Sequence, residues 1–283
     1  MPRPHLRILL ALALAGAALT ATLVLIAVVA RPTGSVTAGS LEFEGVSHQY
    51  RLFVPTGVAA GSAAGLLVVL HGYTWDAQGF ESYTGLDAQA ARLHLLAVYP
   101  QGFARSWNAG SCCGEAARRG LDDVGFVGAL VGDLQSRLGI RSRPTYAAGF
   151  SNGAMLALRI VCEQPALFRA VVAVAGELER GDCASGPPVS TLLVHGSADQ
   201  VVRFPGLVTS TGTSVFDWAL RRDGCRTSAT AVVDSSVTRL SALGCPAAVA
   251  VDEYELAGTA HEWPRGTPVA ATRLAGDFLA ELH

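Results

Sequence analysis

Lysine is absent from the 283 residues: the basic side chains are all arginine, 21 of them against 23 acidic residues. They lie singly or in pairs such as Arg118-Arg119 and Arg221-Arg222, with no basic stripe, so nothing offers a footprint for nucleic acid. Charged residues are scarce, at 16%, while 50% of the chain is hydrophobic. That balance allows a large core and excludes disorder beyond about the first forty residues. Cys-x-x-Cys pairs and Cys/His clusters are also missing, which removes the usual basis for a zinc site. No metal or organic cofactor is expected. There is no internal repeat, and no low-complexity tract outside the N-terminal segment.

That segment, Met1 to Ala30, joins a basic start (Arg3, Arg7) to an uncharged apolar run from Ile8 onward, the pattern of a signal peptide or an N-terminal membrane anchor. The run is long enough to span a bilayer, for which about 20 apolar residues suffice. Val28-Val29-Ala30 places small residues before Arg31 for cleavage, and cleavage is the preferred reading. With Arg3 and Arg7 held in the cytoplasm, everything after Ala30 is delivered across the membrane. An extracellular or cell-envelope location is therefore expected, with membrane contact only through this segment if it stays uncleaved.

Cys112, Cys113, Cys162, Cys183, Cys225 and Cys245 all lie in the exported part, and their even number suits an oxidising compartment. Adjacent Cys112 and Cys113 are expected to bond to different partners, and Cys225 with Cys245 to close a single surface excursion.

Residues 31–40, small and polar, read as a linker, and 41–283 as one catalytic domain, expected to be a monomer. Edge strands are expected at Leu41 to Phe43 and Tyr50 to Val54. Short apolar runs follow at Gly65 to Leu70, Leu95 to Tyr99, Thr145 to Gly149, Ala170 to Ala175, Thr191 to His195 and Ala248 to Leu256. Helical periodicity separates them around Gly85 to Leu93, Asp123 to Leu138, Asn152 to Glu163, Ser214 to Arg222 and Val269 to Leu282. Alternation of this kind predicts an α/β fold: a mostly parallel central sheet with helices on both faces, and catalytic groups just after strands.

Gly149-Phe150-Ser151-Asn152-Gly153 sits between a strand and a helix, the context of a nucleophile elbow. Such a turn strains the serine backbone and needs nearly side-chain-free residues two before and two after, which Gly149 and Gly153 supply. A serine hydroxyl is a weak nucleophile without a base, and the base needs an acid to hold its tautomer. In an α/β-hydrolase the chain order is Ser, acid, His. His195-Gly-Ser-Ala-Asp199 follows a strand and offers Asp199 as the acid; His261, between the last strand and last helix, is the expected base. The remaining downstream histidine is the terminal His283.

An oxyanion needs two preorganised donors, expected from the backbone of Asn152 and of Tyr73, with Thr74 as the alternative to Tyr73. His71 precedes the nucleophile and is read as ordering its loop. Tyr73, Trp75 and Trp263 are expected to ring the pocket. Asp122 and Asp123 read as caps for the following helix, with Asp123 a secondary candidate for substrate contact.

Residues from about Tyr50 onward resemble the secreted α/β-hydrolase esterases that include poly(3-hydroxybutyrate) depolymerases and feruloyl esterases. The motifs are Tyr99-Pro-Gln-Gly102, Trp107 followed by Cys112-Cys-Gly114, Asp122-Asp-Val-Gly-Phe126, Gly149-Phe-Ser-Asn-Gly153, His195-Gly-Ser-Ala-Asp199 and His261-Glu-Trp-Pro264. The resemblance implies Ser151, Asp199 and His261 as triad, a small or oligomeric ester substrate, and secretion. Where that family often has Gly-His-x-Trp-Pro-Gly, Ala260 precedes His261 and Arg265 follows Pro264, which puts substrate specificity in doubt more than catalysis. The competing readings are a peptidase or acyltransferase on the same fold, and a catalytically silent envelope-binding protein.

Overall fold

The computed structural model describes residues 34–179, 183, 185–246, 248–266 and 269–282, so the expected signal or anchor segment 1–30 lies outside the described residues. The described chain enters through an antiparallel hairpin, β1 (Gly34–Phe43) and β2 (Val46–Pro55). Strands and helices then alternate: β3 (Gly65–Leu70), α1 (Ala77–Thr84), α2 (Asp87–Arg92), β4 (Leu95–Pro100), α3 (Gly114–Arg119), α4 (Asp123–Arg137), β5 (Thr145–Phe150), α5 (Asn152–Glu163), β6 (Ala170–Val174) and β7 (Ser190–Gly196). After the two-residue strands β8 (Leu207–Val208) and β9 (Thr213–Ser214) come α6 (Val215–Arg222), β10 (Thr227–Asp234), β11 (Val237–Leu243), β12 (Val251–Leu256) and α7 (Ala271–Ala280).

The main sheet has 10 strands in the order β1-β2-β4-β3-β5-β6-β7-β12-β11-β10. From β4 to β12 every neighbour is parallel, and antiparallel hairpins close both ends. A parallel strand with helices on both faces has no wet side, which is why β3 to β7 are apolar runs rather than alternating ones. Along β3, Leu66, Val68 and Leu70 enter one core together with Leu134 of α4 and Leu158 of α5. Leu67 and Val69 enter the other, with Phe80 of α1 and Phe278 of α7. Each such side chain contributes about 1.5–3 kcal/mol relative to exposure. Among the described residues no helix is long and apolar enough to cross a membrane.

Three expectations need correction. Residues 34–40 are strand rather than linker, because β1 pairs with β2 along its whole length, from Gly34↔Pro55 to Phe43↔Val46. Its small residues accept the aromatic side chains of β2, and a Cβ at Gly39 would collide with the Tyr50 ring. Secondly, the hairpin β10–β11 was not anticipated; it is the excursion that Cys225–Cys245 closes. Thirdly, Cys112 and Cys113 bond to each other, since the other four cysteines pair as Cys162–Cys183 and Cys225–Cys245.

Candidate active site

β5 ends at Phe150, α5 begins at Asn152, and Ser151 alone makes the turn, with φ 52° and ψ −122°. That conformation is rare for a residue with a side chain and costs of order 1–3 kcal/mol, which the surroundings must hold in place. They do so through contacts that only glycine permits. A Cβ at Gly149 would collide with the Gly153 carbonyl, and one at Gly153 with the carbonyl oxygens of Leu70 and His71. The elbow therefore lies against the end of β3, and the Ser151 N–H donates to Val174 O at 2.9 Å across to β6.

β7 and β12 are parallel neighbours, so the loops that follow them emerge side by side. They are stitched together: Ser197 N–H donates to Leu256 O (3.0 Å), Ala198 N–H to Thr259 O (3.0 Å), and Gly258 N–H to Ser197 Oγ (3.0 Å). This stitching carries Asp199 to His261. His261 Nδ1 is 2.7 Å from Asp199 Oδ2, and His261 Nε2 is 2.8 Å from Ser151 Oγ. With a neutral imidazole, Nδ1–H donates to the carboxylate and the serine hydroxyl donates to Nε2. The Phe150 ring flanks the imidazole, centroids 5.0 Å apart.

The Asp199 side chain is fully buried. Its Oδ1 accepts the N–H groups of Val201 (2.8 Å) and Val202 (2.9 Å). His195, also buried, donates from Nε2 to Val202 O at 2.7 Å and lies 3.5 Å from Asp199 Oδ2, closing the turn that presents the acid. Burial lowers the His195 pKa below its ordinary value and so favours the neutral form.

The loop after β3 supplies the other half. Thr74 N–H donates to Arg105 O at 2.8 Å and is committed there, so the alternative oxyanion donor is removed. Among the described residues the Tyr73 and Asn152 N–H groups donate to no other group. His71 is 99% buried, its Nδ1 2.8 Å from Gly72 O and its Nε2 accepting Gly102 N–H at 3.0 Å. Burial lowers its pKa to about 4, so it orders the loop as a neutral ring.

The side chain of Asn152 was missed, because only its backbone was assigned a task. Its Oδ1 accepts Trp107 N–H at 2.8 Å and its Nδ2 donates to Trp107 O at 3.0 Å, while Trp107 Nε1–H donates to His71 O at 2.9 Å. The segment around Trp107 is thus bound to both the elbow and the β3 loop.

Two rim assignments are corrected. Trp263 is 1% exposed, with Nε1–H donating to Thr272 Oγ1 at 3.0 Å, so it anchors the His261 loop to α7 from beneath. Asp123 is 1% exposed, and its Oδ2 accepts Asn108 N–H at 2.6 Å; burial raises its pKa to about 6. It braces the Trp107–Asn108 segment from inside, and the helix cap is Asp122, which accepts Gly125 N–H at 2.8 Å. Tyr73 is 47% exposed. Trp75 is half-buried against Phe80 and Tyr83. Among the described residues no cluster of three or more His, Cys, Asp or Glu is arranged to hold a metal ion.

An elbow after β5, an acid after β7 and a histidine after β12 on a mostly parallel sheet define the class: this is a chain of the α/β-hydrolase fold. Over 87% of its length it superposes on 99% of the acetyl xylan esterase from Aspergillus awamori, with a TM-score of 0.63 and 14% identity. A dipeptidyl aminopeptidase IV-like structure from Bacteroides ovatus shares the fold at a TM-score of 0.57 and 12% identity, over 89% of this chain and 36% of that one.

No family model matches the chain. In sequence it is similar to NocK of Nocardia uniformis subsp. tsuyamanensis, whose name gives it as an esterase, at 32% identity over 62% of this chain and 52% of that protein. It is also similar to feruloyl esterase C of Emericella nidulans, at 27% identity over 59% of this chain and 61% of that one. The resemblance read from the motifs is thereby matched by sequence likeness, although the alignments span only 52% and 61% of those two relatives.

Proposed function

We propose that the chain is an exported serine esterase that hydrolyses carboxylic esters through an acyl-enzyme. The observation that carries this reading is the continuous relay from Ser151 Oγ to His261 Nε2 (2.8 Å) and from His261 Nδ1 to Asp199 Oδ2 (2.7 Å). His261 takes the hydroxyl proton as Ser151 Oγ bonds to the ester carbonyl carbon, and the carbonyl oxygen becomes an anion. The N–H groups of Tyr73 and Asn152 receive that oxyanion, aided by the positive end of α5. On collapse the C–O bond breaks, His261 returns the proton to the departing alcohol, and water repeats the sequence to free the acid. Asp199, held by its buried hydrogen bonds, stabilises the imidazolium throughout.

Hydroxybutyrate oligomers and feruloylated carbohydrates are the proposed substrate classes, on the likeness to feruloyl esterases and the motif pattern. Export is supported by the apolar Met1–Ala30 segment and by three cysteine pairs, a usage typical of oxidising compartments.

The test is a panel of p-nitrophenyl acetate, methyl ferulate, 3-hydroxybutyrate oligomers and a peptide anilide. Hydrolysis of esters but not of the anilide, lost by at least about 10³-fold in Ser151→Ala, is expected. Undiminished ester hydrolysis by a clean Ser151→Ala preparation would end the proposal.

A further inference from the structure

The nucleophile stands beyond the C-terminal ends of the parallel strands; a different feature occupies their N-terminal ends. Pro144, Arg169 and Pro188 lie just before β5, β6 and β7, and with neighbouring residues they enclose a cavity of about 380 Å³. Among the described residues its walls carry three arginines, Arg141, Arg143 and Arg169, and no carboxylate. Among the described residues the Arg143 guanidinium has no partner, whereas Arg141 donates to Ser136 Oγ at 2.6 Å and Arg169 Nε to Leu282 O at 3.1 Å. Two of the three cations are thus steadied by neutral acceptors without losing charge. Elsewhere on the surface arginines pair with acids, as Arg119 does with Glu115 and Arg137 with Asp133. Cations gathered without a counter-charge raise one another's energy until an anion arrives.

The uncharged wall gives the ligand its second property. Pro165 and Pro187 line this cavity and also a neighbouring one of about 500 Å³, whose wall includes Trp218, Arg221 and Arg222. Arg222 lies over the Trp218 ring at 5.2 Å and is tied to Asp223 and to the carbonyls of Val161 and Val189, so it holds this wall in place rather than offering a free charge. Proline and tryptophan faces beside the guanidinium groups of Arg141, Arg143 and Arg169 match a ligand that alternates flat C–H faces with anionic groups. A lone inorganic anion would use the charge and leave the apolar wall unused.

We infer that this double cavity is a second binding site, remote from Ser151, for an oligosaccharide that bears carboxylates, such as an oligo-uronate. Guanidinium groups pair with carboxylates in a planar, two-point geometry, and sugar C–H faces pack on proline and aromatic rings. Occupancy would tether the protein to an acidic polysaccharide without changing the chemical step.

Calorimetric titration of the protein with tetragalacturonate at low ionic strength tests this, with neutral xylotetraose and inorganic phosphate as comparison ligands. Tetragalacturonate should bind and should lose affinity by about tenfold in Arg141→Gln/Arg143→Gln, with weaker binding as salt rises. Hydrolysis of p-nitrophenyl acetate by that variant should be unchanged. Hydrogen exchange on the wild-type protein gives a second readout that needs no variant: tetragalacturonate should protect residues 141–145 and 165–169. Absence of binding, unaltered affinity in the variant, protection elsewhere, equal binding of xylotetraose, or full displacement by equimolar phosphate would each overturn the assignment. Binding is measured without turnover, so loss of the esterase reading and loss of this one give different results.

Discussion

Asn152 grips the backbone of Trp107 at both ends, its amide oxygen accepting the N–H at 2.8 Å and its amide nitrogen donating to the C=O at 3.0 Å. Both residues are fully buried, so neither bond can be replaced by water. Asn152→Ala keeps the backbone N–H at the elbow but releases the segment packed against it. The expected outcome is a loss of about 2–3 kcal/mol in stability and a fall of about 10- to 100-fold in kcat/KM on a short chromogenic ester. Unchanged kinetics in a destabilised variant would show that the clamp serves folding alone.

Asp199→Asn tests the acid. Its Oδ1 contacts to Val201 and Val202 survive in the amide, whereas the group facing His261 Nδ1 can become a donor and select the wrong tautomer. A drop of about 10⁴-fold in kcat is expected, with little change in melting temperature. A drop below about tenfold would remove Asp199 from the relay.

Glu253, on β12, is 5% exposed with an Oε1 that has no partner among the described residues, and burial raises its pKa from 4.5 to about 8, helped by Asp217 and Glu255 nearby. The folded state therefore keeps a proton that the unfolded chain has released. Stability carried by the neutral form is complete below pH 4.5 and is lost as pH rises towards about 8. Glu253→Gln cannot ionise, so its melting temperature should fall several degrees less than that of the wild type between pH 5 and 8.5. Parallel curves for the two proteins would contradict this account.

Cys225 and Cys245 clamp the base of the outermost hairpin, β10–β11, at a sequence separation of 20. Replacing both by serine should lower stability by about 3 kcal/mol while leaving ester hydrolysis at 25 °C unaltered, because the reacting groups lie on other loops. Denaturant unfolding and steady-state kinetics check the two halves.

The meeting of Ser151, Asp199 and His261 was legible because each follows an apolar run that reads as a buried strand, and their chain order matches their loops. The parallel centre was legible for the same reason. What escaped had no pattern to show. β10 is exposed along nearly its whole length, so Thr227–Asp234 has no alternation of apolar and polar residues. Gly34–Ser40 reads as linker because its small side chains leave the packing to β2. Trp263 and Asp123 sit in site-like motifs, and only their three-dimensional partners, Thr272 and the Asn108 backbone, reveal that both act from beneath. The Asn152 side chain was hidden by its own backbone role.

Covalent labelling with a fluorophosphonate, followed by peptide mass spectrometry, tests the central claim most directly, since only an activated serine reacts quickly. The account predicts one stoichiometric adduct on the peptide carrying Ser151, absent in Ser151→Ala and slowed by at least about 10³-fold in His261→Ala. An unlabelled wild-type protein, or an adduct that persists when position 151 is alanine, would contradict it.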